Sequence, residues 1–458
     1  MSLGLLLAIF AVALIFVLVS IIKFDLHPFL ALLIGGLIMG MLTGMPLKEV
    51  ADGIASGFGN TMTGIGILII LGVALGHLLH ISGCTSQIAA LMLKLTGQKR
   101  AGLAVNLTGY IVSIPVFFDA AFVILVNLVK SLSRKGKIPF VSLVTALAVG
   151  LITTHALVIP TPGPVAVAGT MGVNIGWFLL YSIIVSLPAS ILGGVFYGKF
   201  LGSRAEYKDD FANAFDDVDE EKEISSDKNL PSGGLGILLI FLPIFIILIG
   251  TVASLICDPD STAYMVFGFL GNKNIALLIG LIVAFFSLRK YITTSFNEVI
   301  TEAATQSGAI LAITGAGGAF GAIINGTGIG ERLVEGMTSM TDGVGIAMII
   351  AAFVISQVLR AAQGSTTVAL VTTSAIFSPI IAGMASVSPI LVGLAICAGG
   401  IGLSLPNDSG FWVVNRFSKF DVKQTMKVWT IGGTISGVTA LVIIIILSVF
   451  TTSLPGLL

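Results

Sequence analysis

The sequence is poor in charge, cysteine and histidine. Of its 458 residues 10% are Asp, Glu, Lys or Arg, three are cysteine and four are histidine, while 56% are hydrophobic. A soluble domain carries roughly 25% charged residues, so the composition excludes a water-soluble protein and leaves a chain with several membrane spans. Lysine plus arginine equals aspartate plus glutamate, 23 each. With no basic stripe, nucleic acid is excluded as a partner. Cys84, Cys257 and Cys397 are scattered, and no disulfide framework or metal spacing follows from them. An HExxH motif is missing. The "GAGGAFG" at 315–321 has no surrounding βαβ unit and indicates close helix packing instead of a nucleotide loop. Nothing points to an enzyme. The opening "MSLGLLLAIFAVALIFVLVSIIKF" lacks a basic n-region and a small-residue cleavage site, and is expected to be a first span.

The little charge present is concentrated. Ten of the 23 acidic residues fall in 206–228, "EYKDDFANAFDDVDEEKEISSDK". This marks 201–233 as a solvated cytoplasmic linker between membrane segments 1–200 and 234–458. Six apolar blocks lie on each side: 3–22, 28–45, 63–81, 101–129, 140–169 and 174–198, then 234–256, 274–288, 304–326, 344–374, 389–414 and 428–450. The halves echo one another. "ALLIGGLI" at 31–38 returns as "ALLIGLIV" at 276–283, the Gly72–Gly83 spacing as Gly315–Gly326, and "IPTPGP" (159–164) as "LPNDSG" (405–410). An internal repeat is therefore expected.

Basic loops at 94–100 and 130–137 are both cytoplasmic by the positive-inside rule, so the block between them must enter and leave on one side. It is about 29 residues long, roughly 44 Å as one helix, and is expected to be a re-entrant hairpin, with 344–374 as its counterpart from outside. The expected fold is all-α: two inverted-topology repeats, each about five transmembrane helices plus one hairpin followed by a broken helix. This places 19 lysines and arginines inside and three outside (Lys48, Lys273, Arg332). Both termini would then lie outside.

Few ionisable side chains remain within the apolar blocks. Asp119 lies in the first hairpin and Arg360 in the second. His155 and Asp408 lie in the blocks that follow the hairpins, and His77 and His80 near a span end. A charge at membrane depth is unfavourable by roughly 3 kcal/mol even on the mildest scale, and such groups usually face a cavity. Proline and glycine in "THALVIPTPGPVAVA" (154–168), "LRAAQGSTT" (359–367) and "PNDSG" (406–410) break the helix there, which is tolerated where backbone lines a site. Restarted helices present free N–H groups that suit an anion. Gly163 and Gly364 allow close approach; Ser365, Thr366, Thr367, Asn407 and Ser409 offer hydrogen bonds; Gln363 shares a helical face with Arg360; and Arg360 can grip a carboxylate bidentately. Asp119, Asp408 and His155 are candidates to carry a coupling proton. The lesser alternative for Asp408 is a buried structural ion pair with Arg360, which is compatible with a transport role.

"SIPVFFDAAFVIL" (113–125), "THALVIPTPGPVAVAG" (154–169), "RAAQGSTTVALVTTSA" (360–375) and "PNDSGFWVVNRF" (406–417) together resemble the gluconate permease family, over essentially the whole chain. The resemblance implies a bacterial inner-membrane symporter that takes up gluconate or a related small hydroxy acid with protons. It carries functional roles over to Asp119, His155, Pro162, Gly163, Gln363, Gly364, Ser365, Asn407, Asp408 and Ser409; with Arg360, Thr366 and Thr161 from the residues themselves, the expected substrate-binding set is Arg360, Gln363, Gly364, Ser365, Thr366, Thr161, Pro162, Gly163, Asn407 and Ser409. No cofactor is implied beyond the coupling ion, and a homodimer in the lipid bilayer is. The chain departs from the family pattern at Thr161, where many relatives carry histidine, and at Ala120-Ala121, where Val-Gly is usual. The family includes a D-serine transporter, so a different small organic anion or a D-serine-like substrate, with sodium as coupling ion, is the alternative.

Overall fold

The computed structural model describes the chain apart from Met1, Asp25, 97–99, 208–229, 329–343, Gly383, Ala385 and Asn407; some helical side chains, including those of Ala120, Gln363 and Ser409, also lie outside the described set. Helices make up the first half in the order α1 (Leu3–Phe24), α2 (Pro28–Leu42), α3 (Leu47–Ile81), α4 (Cys84–Thr96), α5 (Ala101–Val112), α6 (Phe118–Gly136), α7 (Phe140–Leu157), α8 (Pro162–Thr170) and α9 (Ile175–Gly202). The second half contains α10 (Gly233–Ile256), α11 (Thr262–Leu270), α12 (Lys273–Leu288), α13 (Phe296–Gly326), α14 (Val344–Gln363), α15 (Thr366–Ile381), α16 (Pro389–Gly399), α17 (Ser409–Ser418) and α18 (Val422–Ser448). There is no strand among the described residues. Eight helices are long and apolar enough to cross a membrane, nine with the bent α3, again among the described residues. Large apolar side chains such as Ile15, Phe245, Phe286 and Val442 point outward, as lipid-facing surfaces require.

Two helices outrun the apolar blocks that announced them. α3 has 35 residues and α13 has 31, because their first turns carry Lys48, Glu49 and Asp52, or Glu298 and Glu302. These polar residues dilute a hydropathy window without breaking a helix. Ser295 and Glu298 form a capping box that starts α13, and α3 bends by 43° near Gly64–Gly66. The short helices α4 and α11 had no apolar block of their own. α3 and α13 pack along most of their length: Gly53 faces Ile323, Gly57 faces Ala319 and Ala322, and Gly318 faces Thr61. Numbers rise on one helix as they fall on the other, so the pair is antiparallel. The "GAGGAFG" glycines lie at this contact: Gly315 meets Phe58, and Gly317 meets Ala375 of α15.

The chain reverses at both hairpin positions. Asn106 Nδ2 of α5 donates to the Ala146 carbonyl of α7 at 2.9 Å, Gly109 touches Leu147 and Leu151, and the Phe117 ring neighbours His155. α5 therefore runs parallel to α7. α6 must then return, because it ends at Gly136, just before α7 begins. In the second half Gly345 faces Ser386, Ser356 Oγ donates to the Ile396 carbonyl at 2.7 Å, and Gln357 lies against Gly402. α14 runs parallel to α16, and α15 returns between them. The Asn106–Ala146 and Ser356–Ile396 bonds correspond residue for residue, each pair 40 apart. At about 18 Å, α5 is too short for a core of roughly 30 Å. α7–α8 and α16–α17 are each interrupted, at 158–161 and 400–408.

The halves are then interleaved: α15 packs on α8 and α6 on α17. Each returning hairpin arm thus lies against the restarted helix of the other half. Gly163 approaches Thr367 and Leu370, Ser378 Oγ donates to the Thr170 carbonyl at 2.7 Å, and Gly410 touches Phe118. α3 braces the first half's turns. A Cβ on Gly76 would overlap the Pro115 carbonyl, and one on Gly72 would come within 3.0 Å of the Pro160 carbonyl. α9 and α18 each contain a π-helical stretch, Ile191–Phe196 and Met426–Ile431, and pack together at Gly193 and Ser436.

Candidate functional site

Arg360 occupies the last turn of α14 and is 1% exposed. The chain turns at Gly364, whose φ of 70° is open to glycine and costly for other residues. Ser365 then caps α15 by accepting from the Val368 N–H at 3.4 Å. Thr366, also buried, donates to the Gly400 carbonyl at 3.3 Å, tying the hairpin tip to the second break.

Asp408 is the N-cap of α17, with Oδ1 accepting from the Gly410 N–H at 2.9 Å. Its other oxygen faces Arg360, whose Nη2 donates to Asp408 Oδ2 at 2.5 Å and to Ser404 Oγ at 3.1 Å. Ser404 Oγ donates to the same Oδ2. Trp429, in the π-stretch of α18, sends its indole N–H to Ser404 Oγ at 2.6 Å and toward Asp408 Oδ2 at 3.3 Å. Its ring lies 4.5 Å from that of Phe118 on α6. Thr430 donates to the Ser404 carbonyl, and Leu403, at φ 45°, donates its N–H to Thr434 Oγ1 at 3.0 Å. One turn of α18 thus clamps the break on both sides. Arg360 still has Nε and Nη1 buried without a partner among the described residues. Buried guanidinium donors left unpaired cost several kcal/mol, a cost that an incoming carboxylate would relieve.

Asp119 sits in the first turn of α6, exposed, where Phe117 provides no side-chain cap. It has no hydrogen bond or ion pair among the described residues, yet the charges of Arg360 and Asp408 both act on it. His155, in the last turn of α7, is 8% exposed and feels the same two charges. Its Nδ1 is unpartnered among the described residues and its ring tilts against Phe117 at 6.1 Å. With Gly72, Pro115, Pro160 and Thr161 it lines a cavity of ≈ 10 Å³, about the room one water needs. Thr161 donates to the Val158 carbonyl and precedes α8. Pro162 and Pro164 lack N–H groups, so Gly163 supplies the donor of that turn.

The structure brings Arg360, Asp408 and Asp119 together, with His155, Thr161, Pro162, Gly163, Gly364, Ser365 and Thr366 on the adjoining breaks and helix starts. Asn407, and the side chains of Gln363 and Ser409, lie outside the described residues. Sequence reasoning passed over Ser404 and Trp429. The available signals were a serine four residues before the buried aspartate and a tryptophan inside an apolar span.

Residues 5–450 match the family model of the GntP family permeases. The chain is 37% identical to an uncharacterized permease of Haemophilus influenzae over 94% of this chain and 89% of that one. It is 33% identical to a gluconate permease of Pseudomonas aeruginosa (95% and 96%), and 32% identical to the D-serine transporter DsdX of Escherichia coli (94% and 95%). Among solved structures, the YdaH transporter of Alcanivorax borkumensis aligns over 94% of this chain and 100% of that one, with a TM-score of 0.68 at 13% identity, a likeness of fold. The chain is a transporter and not an enzyme, a multi-pass protein of the bacterial inner membrane, and it belongs to the GntP permease family.

Proposed function

We propose that this chain takes up gluconate or a related small hydroxy acid by proton-coupled symport, through alternating access of two inverted repeats. The observation that carries the proposal is Arg360, a buried guanidinium with two nitrogens unpartnered among the described residues, where a hairpin tip and a helix break meet. A carboxylate supplies a charged acceptor to an open edge of that guanidinium, and the hydroxyls of such a substrate suit Thr161, Ser365 and Thr366. Relatives named as gluconate permease and D-serine transporter point to the same chemistry, since both compounds carry a carboxylate beside a hydroxylated carbon chain. The antiparallel α3–α13 pair and the exchange of hairpin arms between halves support inverted repeats that rock about a central site.

With one proton a monovalent anion enters electroneutrally, and the pH difference alone drives uptake. A second proton would add about 2.3 kcal/mol per 100 mV of membrane potential. The test is uptake of labelled gluconate into proteoliposomes with an imposed pH gradient and no sodium, with unlabelled glycerate, lactate and D-serine as competitors. Gradient-dependent accumulation is the expected result. Uptake that requires sodium overturns proton coupling, and failure of gluconate to accumulate while D-serine does overturns the substrate.

A further inference from the structure

We infer that the two intramembrane carboxylates have different tasks: Asp119 exchanges the coupling proton, while Ser404 and Trp429 are positioning residues that fix Asp408 as the standing counter-ion of Arg360. This assignment rests on the symport reading above.

The argument is one of hydrogen-bond capacity. A carboxylate has about four acceptor positions, and Asp408 meets four donors, three of them gathered on Oδ2. Oδ1 takes the Gly410 N–H, and Oδ2 takes Arg360 Nη2 and the Ser404 hydroxyl, with the Trp429 indole N–H at its edge. A proton arriving at Oδ2 would have to displace Arg360 or turn the Ser404 hydroxyl away from it. The clamp is also reinforced from behind. Trp429 donates to Ser404, stacks on Phe118, and is 2% exposed. Ser404 is held in addition by Thr430, which takes its carbonyl.

Asp119 is the opposite case. Its carboxylate is exposed, without a partner among the described residues, and stands at the start of a helix that no side chain caps. The charged groups acting on it are Arg360 and Asp408; His155 stands on the neighbouring α7, and the like charges of Lys130 and Lys419 face each other toward the other end of α6. Arg360 has one positive charge, and its Nε and Nη1 have no partner among the described residues. The substrate carboxylate and the Asp119 carboxylate therefore compete for the same cation. An anion that takes Arg360 leaves Asp119 beside two negative groups, and a proton from the aqueous side binds its oxygen. When the anion leaves, Asp119 releases that proton and returns to the field of Arg360. Proton and substrate are linked through the guanidinium, with no bond to carbon made or broken.

The test compares two modes in proteoliposomes holding the full chain: accumulation of labelled gluconate driven by a pH gradient, and exchange of labelled for unlabelled gluconate without one. Asp119→Asn should lose accumulation but still exchange, at a rate that no longer varies with pH, and Asp119→Glu should restore accumulation. Asp408→Asn should lose both modes. Trp429→Phe, which keeps the ring on Phe118 and removes the donor, and Ser404→Ala should each raise KM about tenfold while accumulation remains gradient-dependent. Accumulation by Asp119→Asn, or exchange by Asp408→Asn with an unchanged KM, overturns the assignment while leaving the symporter intact. If the unaltered protein shows no gradient-driven accumulation, the transport reading fails, and the assignment with it.

Discussion

The Arg360–Asp408 pair makes a quantitative prediction about stability that can be separated from transport. The two side chains are 2% and 6% exposed. Removing one member of such a pair leaves a buried charge uncompensated and typically costs about 3–5 kcal/mol, whereas removing both costs far less. In Arg360→Ala the stranded carboxylate of Asp408 keeps three donors, from Ser404, Trp429 and the Gly410 backbone, so the cost should fall at the low end, about 3 kcal/mol. That is a fall of roughly a hundredfold in the folded-to-unfolded ratio. Arg360→Ala combined with Asp408→Asn should return to within about 1 kcal/mol of the parent, since an amide retains the Ser404 and Gly410 contacts and carries no charge. Both variants should be inactive in uptake. The assay is equilibrium unfolding of the purified protein in mixed detergent, followed by tryptophan fluorescence. If the single variant is as stable as the parent, or the double variant no more stable than the single, the pair is not the buried, mutually dependent contact described here.

Three further outcomes follow from particular contacts. Gly76→Ala places a methyl group on the Pro115 carbonyl; it should destabilise by about 1–3 kcal/mol and reduce uptake more than Gly72→Ala, measured as Vmax at equal membrane expression. Asn106→Ala removes the amide that joins the Ala146 and Ser190 carbonyls and strands buried acceptors, a loss of about 1–3 kcal/mol visible in detergent thermal unfolding. Beside the interdomain linker the Lys427 ammonium, 2.8 Å from Glu206, holds that carboxyl below the usual carboxylate range. Its stabilising contribution is complete above about pH 4.3 and is lost as pH falls through the lowered folded value. The thermal stabilities of parent and Glu206→Gln should therefore differ at pH 7 and converge on acidification.

Much of this architecture was legible because a membrane narrows the alternatives. With so few charges, each intramembrane one stood out, and Arg360, Asp408, Asp119 and His155 became candidates from their positions alone. The breaks at 158–161 and 400–408 were visible as proline, glycine and asparagine in apolar surroundings. What escaped was whatever depends on a partner distant in sequence. Ser404 is one of many serines, and Trp429 one of many aromatics suited to packing; their contact with Asp408 appears when α18 is laid against the second break 25 residues earlier. The starts of α3 and α13 escaped for another reason. Polar side chains on a helix that emerges from the apolar layer lower mean hydropathy and leave helix propensity intact.

The repeat is most informative where it fails. The Asn106 and Ser356 hydrogen bonds set α5 and α14 in register, and in that register the counterpart of Arg360 is Tyr110. The Tyr110 hydroxyl is satisfied by Ser186 at 2.6 Å, so the first half presents a closed, neutral contact where the second presents an open cation. The breaks differ in the same sense. The first is framed by Pro160, Thr161 and Pro162 around a small cavity, while the second carries Asp408 and the serine–tryptophan clamp. A doubled scaffold gives two similar faces that can exchange roles as access alternates. The single anion of the proposed transport, however, needs its positive charge once. On the proposed reading of two inverted repeats, duplication accounts for the hairpins and breaks, and arginine at one of two matched positions accounts for a site with one polarity.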